Sequence, residues 1–289
     1  MSRTEEELVK RLLADPELAK QVGEAVAKLT SYSEALDAVM EQYARGVAEQ
    51  VVHLQAAFDG FHERLAPQLA RLAETSLRRV APPNWPYPMP DLVAVEAVLQ
   101  EDGIPLVYVP RAQIVDALID AATTDQRLAI LDEKSGLIAE DCLRALPERP
   151  HADIEKQVPL VREAIEAFDV GYYGPAQALA VAVSDTYLAR FIGGSYGAMK
   201  KKASLSQYGD EEPAFQLFRM VYSIAPVTLF LTPFDPKKRK PPPDRLSRHV
   251  TIHSASTDHV HKINALIAVM LAASLTATYH LALHVEWVS

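Results

Sequence analysis

The stretch from residue 263 to residue 283 constrains the fold most: it is the most apolar part of the chain, and it matches the roughly 20 residues a helix needs to cross a bilayer. Asn264, Ser274, Thr276, Thr278 and His280 interrupt it, and its longest unbroken apolar portion runs only from 265 to 273. These interruptions predict a helix buried in a bundle; a membrane span is the alternative. Alanine and leucine are abundant, only 11 glycines occur, and β-branched runs are few, which favours helix over sheet. With hydrophobic residues at 49% and charged residues at 23%, the chain is expected to be a folded, all-α protein.

The remaining pattern reads as helices punctuated by proline. Thr4 followed by Glu7 is a capping signal for one or two short helices ending near residue 28, where Leu8, Leu12, Val22 and Val26 recur at helical spacing. From residue 33 an amphipathic pattern through Leu36, Met40, Tyr43, Val47, Val51, Leu54, Phe58, Phe61 and Leu65 resumes beyond Pro67 to residue 80, and predicts a long helix or helical hairpin. His53 and His62 on it are given no function. Five prolines within residues 82–90 end this helix, and Trp85 and Tyr87 are expected to pin the extended segment to the body of the protein. Helices are predicted over 92–99, 112–121, 125–131 and 135–146, with a short strand over 106–109. Pro147 and Pro150 mark a polar break, so the expected organisation is a helical domain over residues 1–150 and a second over 151–289. The second contains helices over 154–168 and 176–192, the latter ended by Gly193 and Gly194. A core helix over 215–230, bent at Pro226, and a Pro-rich basic loop over 233–243 follow.

The net charge of -9 is uneven: residues 1–150 carry 15 Lys+Arg against 25 Asp+Glu, whereas residues 151–289 carry 14 against 13. Such a chain is no general nucleic-acid binder, so any nucleic-acid contact must be local. The single cysteine, Cys142, excludes an internal disulfide and a Cys-based zinc site within one chain. The first residues lack the basic and apolar regions of a signal peptide, which predicts a cytoplasmic protein.

Chemistry-bearing side chains crowd into one segment. Four of the nine histidines, with Arg248, fall between residues 244 and 261. Histidine exchanges protons near neutrality, and an arginine beside it is a permanent cation suited to phosphate, so Arg248, His249 and His253 suggest a phosphate-directed acid/base site. Two other readings use the same residues. Arg248 and the histidines can form a structural polar cluster at a helix start, or His249, His253, His259 and His261 can gather on zinc, although no HExxH-like carboxylate accompanies them.

Arg248 and His253, separated by four residues with His249 directly after the arginine, resemble the signature of HEPN-domain ribonucleases. The run Ser247-Arg248-His249-Val250-Thr251-Ile252-His253-Ser254, with Asn264-Ala265-Leu266 downstream, is similar to the Asn-Arg-His-x-x-x-His-Gly pattern of a bacterial group of HEPN-like proteins. Ser247 and Ser254 stand where that pattern has Asn and Gly. Upstream, residues 164–168, Tyr172-Tyr173 and an apolar helix bearing Asp185 resemble the group's helix pair, which carries a Glu near Asp185. The resemblance covers roughly residues 150–289, and Asn84-Trp85 with Gly103-Ile104-Pro105-Leu106 resembles the front half of such proteins.

The resemblance implies long N-terminal helices followed by a C-terminal HEPN-like bundle, and a metal-independent endoribonuclease of toxin or phage-defence type that uses no cofactor. It implies RNA as substrate, a homodimer whose two Arg/His motifs face each other, an antitoxin or sensor protein as a further partner, and no membrane. His253 would be the general acid/base for attack of the ribose 2′-hydroxyl, and Arg248 would stabilise charge on phosphorus. His249 would orient the motif or share the proton work, and Asp185 would hold a histidine tautomer. The helix of Asp185 and the helix beginning near Ile263 would form the dimer seam. Lys237, Lys238, Arg239 and Lys240, with Lys200, Lys201 and Lys202, would supply RNA-backbone contacts; as a bland alternative, the 237–240 run is a solvated loop. A HEPN-like interaction or RNA-binding module without catalysis is the alternative function, ahead of a His-ligated metal hydrolase or a membrane-associated protein.

Overall fold

Apolar periodicity this widespread demands that helices bury their faces on one another, and the computed structural model is helical throughout, with no strand among the described residues. It describes Pro16, Lys20 and residues 81–208, 215–235, 237 and 241–284. Apart from Pro16 and Lys20, the helices expected over 4–28 and 33–80, with His53 and His62, lie outside them. The chain divides into two compact units, Met1–Val80 and Ala81–Ser289. Of the first, Pro16 and Lys20 are helical and exposed.

In the second unit the helices are α1 (Leu92–Glu96, continued by a π-helical turn Ala97–Glu101), α2 (Ala112–Asp120), α3 (Thr124–Glu133), α4 (Ser135–Ala145) and α5 (Val158–Asp169). They continue with α6 (Tyr173–Tyr187, extended by the π-helical turn Leu188–Ile192), α7 (Tyr196–Ala203), α8 (Phe215–Ile224), α9 (Val227–Phe230), α10 (Arg248–His253) and α11 (Lys262–His284). The apolar stretch that opens the sequence argument is α11, and α3, α4, α5, α6 and α8 all pack against it. Every residue from Asn264 to Tyr279 is buried. It is one helix long and apolar enough to cross a membrane, yet 78% of its apolar window is buried inside the fold. Two of its polar positions are paired: the Thr276 hydroxyl bonds the Ala272 carbonyl (2.7 Å) and the Tyr187 hydroxyl (3.1 Å), and Thr278 bonds the Ser274 carbonyl (2.8 Å) and the Ser223 hydroxyl (2.7 Å). From Asn264 to Tyr279 α11 has no exposed residue, so the surface it presents is confined to its ends, where Leu281 is 43% exposed.

Helix ends follow local chemistry. Thr123 and Gln126 close a reciprocal capping box on α3, and Gly193 and Gly194, at φ +65° and +89°, end the α6 extension in a conformation that favours glycine. Pro226 separates α8 from α9, as expected. The proline break at 146–151 lies inside the second unit, where α4 and α5 on its two sides pack on each other and on α11.

The strand expected over 106–109 does not form. Asn84 occupies its backbone instead: Nδ2 donates to the carbonyls of Leu106 (3.0 Å) and Pro110 (2.6 Å), and Oδ1 accepts from the Tyr108 amide (2.7 Å). The Trp85 indole also donates to the Leu106 carbonyl (2.7 Å), while its ring packs edge-on against Phe218 and Tyr222. Trp85 therefore pins the proline segment as expected, whereas Tyr87 is 53% exposed. Tyr108 sits at φ +66°, a left-handed conformation that is strained for an aromatic residue and is held by these bonds.

Candidate active site

α10 begins where the Ser247 side chain accepts the Val250 amide (3.4 Å), so the serine that stands in place of asparagine caps the helix. Ser254, in place of glycine, ends it at φ −149°, which needs no glycine. At about 100° per residue, Val250 and Thr251 share one face, and both are buried. Arg248, His249, Ile252 and His253 share the other; Ile252 and His253 are exposed and Arg248 and His249 half-buried. The Arg/His residues thus occupy one outward face of α10.

Asp185 from α6 reaches this face, but it holds the arginine and not a histidine. Arg248 Nε and Nη2 donate to Asp185 Oδ1 (2.7 Å) and Oδ2 (3.0 Å), a fork-to-fork pair that fixes the guanidinium plane. That plane lies 4.2 Å from the centre of the Tyr196 ring on α7, and the Tyr196 hydroxyl is 3.5 Å from Asp185 Oδ2. The expected role of Asp185 in setting a histidine tautomer is therefore corrected. Being shorter than glutamate does not keep it from the site, because α6 packs against α10. His249 and His253, one helical turn apart, stack edge-on with ring centres 5.0 Å apart.

His259 is a different kind of residue, 1% exposed. Its Nδ1 lies 3.2 Å from the Pro243 carbonyl, an acceptor, so Nδ1 carries the proton. Nε2 then accepts from the Ser247 amide (3.4 Å) and the Thr251 hydroxyl (3.3 Å), and that hydroxyl accepts from Gln177 Nε2 on α6 (2.9 Å). Burial pushes its pKa below the ordinary histidine value, against the opposing effect of the bond that Nδ1–H makes to the Pro243 carbonyl. Both nitrogens are committed to the fold, which breaks the four-histidine zinc set. Among the described residues no group of three or more His, Cys, Asp or Glu is arranged to hold a metal.

A second histidine cluster, His151, His280 and His284, lies at the other end of α11, with ring centres 4.3 to 5.3 Å apart for the two closest pairs. His280 Nδ1 accepts from the His151 amide (3.3 Å) and His151 Nδ1 accepts from the Asp153 amide (3.1 Å). With Nδ1 accepting, the His280 ring carries a proton on Nε2 and does not offer that nitrogen to a metal.

The front helices clamp the motif segment at both ends. Buried Asp102 pairs with Arg127 (2.6 Å) and with Arg245 (3.6 Å), just before the motif, and Lys262 at the start of α11 pairs with Asp132 (2.7 Å). Asn264 Nδ2 donates to the carbonyls of His259 (2.9 Å) and Asp244 (3.3 Å), closing the loop between them. Of the expected RNA-binding run, only Lys237 is among the described residues, and it is exposed; Lys238, Arg239 and Lys240 lie outside them. Lys200 Nζ reaches the Thr232 hydroxyl (3.5 Å), and the Thr232 carbonyl accepts the Ser247 hydroxyl (3.4 Å).

Sequence reasoning missed Tyr196, Gln177 and Arg245 and named His259 individually only as a metal ligand, beside the reading of the histidines as a structural polar cluster at a helix start. Tyr196 lies 52 residues before Arg248 with no motif linking them; Asn264, quoted with the motif, was the one available hint that the loop is tied down. No protein-family model, no curated protein and no solved structure matches this chain.

Proposed function

We propose that this protein is a metal-independent endoribonuclease of HEPN type with a C-terminal HEPN-like bundle. The observation that carries the reading is the outward face of α10, where Arg248 is held by Asp185 while His253 stands exposed and His249 half-buried beside it. In the reaction the ribose 2′-oxygen bonds to phosphorus and the 5′-oxygen leaves, producing a 2′,3′-cyclic phosphate. His253 takes or gives the proton, His249 supports it, and Arg248 meets the charge gathering on phosphorus through donors that Asp185 leaves available. Asp185 contributes by orienting the guanidinium, a positioning role. No metal or cofactor enters this chemistry.

In-line displacement places the attacking and leaving oxygens on opposite sides of phosphorus. Two rings 5.0 Å apart are too close to flank a phosphate between them, so one protomer supplies proton transfer on one side only, and a facing second copy supplies the other. The homodimer is therefore part of the proposal, with its seam on the exposed face of α10. By resemblance the activity belongs to a cytoplasmic toxin or phage-defence effector, restrained or triggered by an antitoxin or sensor protein.

One observation favours a second reading, a HEPN-like module that binds without cleaving. Asp185 neutralises Arg248 and occupies one donor on each of two nitrogens, so the pair also serves as a structural latch between α6 and α10. Incubation of purified protein with RNA in EDTA separates the two. The ribonuclease yields 2′,3′-cyclic ends, and Arg248→Ala and His253→Ala each lower cleavage by about 100-fold or more with the thermal midpoint preserved for His253→Ala. Absence of cleavage of any RNA, with a lower midpoint for Arg248→Ala, selects the latch.

A further inference from the structure

The chain carries a net charge of -9, so a dense cationic groove is not what draws a polyanion to the Arg248 face. An acidic protein that recruits RNA needs a contribution that charge repulsion does not cancel, and base stacking on an aromatic ring is one. Tyr196 answers this need. It is 44% exposed although the Arg248 guanidinium lies 4.2 Å from its ring centre. A tyrosine in that position is not placed by core packing: it opens α7, its main-chain neighbour Ser195 caps the helix, and its hydroxyl makes only the 3.5 Å contact to Asp185. One helical turn along the same face, Lys200 reaches toward the cap of α10 through Thr232, and the adjacent Lys201 is exposed. Ring, guanidinium and ammonium groups thus follow one another along α7 and α10.

Resting on the ribonuclease reading, we infer that Tyr196 is a base-stacking residue that makes the Arg248 site selective for single-stranded RNA. The nucleotide whose phosphate meets Arg248 places a flanking base against the exposed ring, and Lys200 and Lys201 accompany the next phosphates of the strand. A duplex presents phosphates equally well but keeps its bases stacked on each other, so the ring gives it nothing. Stacking is tolerant of base identity because every base has a π-face, so α7 selects strand state and not sequence.

The test uses the full chain and a roughly ten-nucleotide, 2′-O-methylated RNA oligonucleotide, a length within the range one such surface engages. Methylation removes the nucleophile, so binding is read without cleavage. By fluorescence anisotropy, Tyr196→Leu weakens binding of the single strand about tenfold and Tyr196→Phe stays within about twofold of wild type, as expected for loss and retention of one stacked base. The same oligonucleotide annealed to its complement binds weakly and is indifferent to either substitution. Because Tyr196 also supports Arg248, a 5-iodouridine-substituted strand supplies a direct readout: irradiation attaches it to the peptide containing Tyr196. Attachment elsewhere only, equal binding by Tyr196→Leu, or a preference for the duplex overturns the inference while leaving cleavage by the wild type, and so the ribonuclease reading, intact. Wild-type protein that neither binds nor cleaves RNA overturns both.

Discussion

His259 shows how a residue type that invites a catalytic reading serves the scaffold instead. Its ring accepts the Ser247 amide at the cap of α10 and the Thr251 hydroxyl on the buried side of that helix, while its own proton goes to Pro243. Protonating Nε2 would remove the acceptor from both bonds and place a charge in a buried site, which is why burial lowers its pKa. The sign of the linkage follows. With the folded-state pKa below the unfolded value, the contribution of His259 is complete above pH about 6.5 and is lost as pH falls through the interval down to the folded-state pKa. Burial lowers His261 and His280 in the same direction, so the wild-type curve alone does not isolate His259. Urea unfolding of wild type and His259→Gln from pH 5 to pH 8 does: the difference between them shrinks toward acid pH. A difference that is flat with pH would mean that the ring has the same pKa folded and unfolded, and so is not held neutral by its buried site. At neutral pH, His259→Ala costs about 1–3 kcal/mol for each partner left buried without a bond.

At the scale of elements, α11 decides the architecture. Four of its alanines, Ala265, Ala268, Ala272 and Ala273, are 0 to 1% exposed, and such small side chains let the surrounding helices approach. Ala272→Leu inserts three carbons where nothing yields, and lowers stability by about 1–3 kcal/mol in chemical denaturation. A neutral outcome would show an uncovered face and return weight to a lipid or partner contact there. This helix was legible because its information is local: interrupted apolarity too long for a surface and too polar for lipid. The same holds for the breaks at Pro226 and Gly193-Gly194, which act through their own backbone. The strand expected over 106–109 failed for the opposite reason. Leu106, Val107 and Val109 have strand-like side chains and are fully buried, but the partner that satisfies their backbone is one asparagine side chain more than 20 residues earlier. Local pattern does not report where a backbone finds its bonds. At the candidate site, the motif residues on α10 were readable from spacing, and Asp185 from a resemblance. That Asp185 meets Arg248, and that Tyr196 lies against it, depends on how α6, α7 and α10 pack.

For the molecule as a whole, the question is whether the α10 face works alone. Asp185 and Tyr196 fix Arg248 within one protomer, and both histidines stand on one side of any phosphate bound there, so the proposed reaction lacks its second proton-transfer group until another copy arrives. Ile252 lies between these residues on the helix and is 45% exposed. An apolar side chain in the middle of a charged, outward face fits a twofold seam, where the same residue meets its own copy. A stable seam needs roughly 800 Å² from each partner, more than a six-residue helix offers, so neighbouring exposed surface must join it. Ile252→Glu tests this without touching the core, since it adds like charges at the centre of the contact and leaves Val250 and Thr251 in place. Light scattering at micromolar protein, without detergent, is expected to give a dimer for wild type and a monomer for Ile252→Glu. The variant loses cleavage while its thermal midpoint, once corrected for dimer dissociation, is unchanged. Wild-type activity per molecule should also fall on dilution below the dimer dissociation constant. A fully active monomer, whether wild type or variant, would mean that one protomer completes the proton transfers, and the facing-motif arrangement would have to be abandoned.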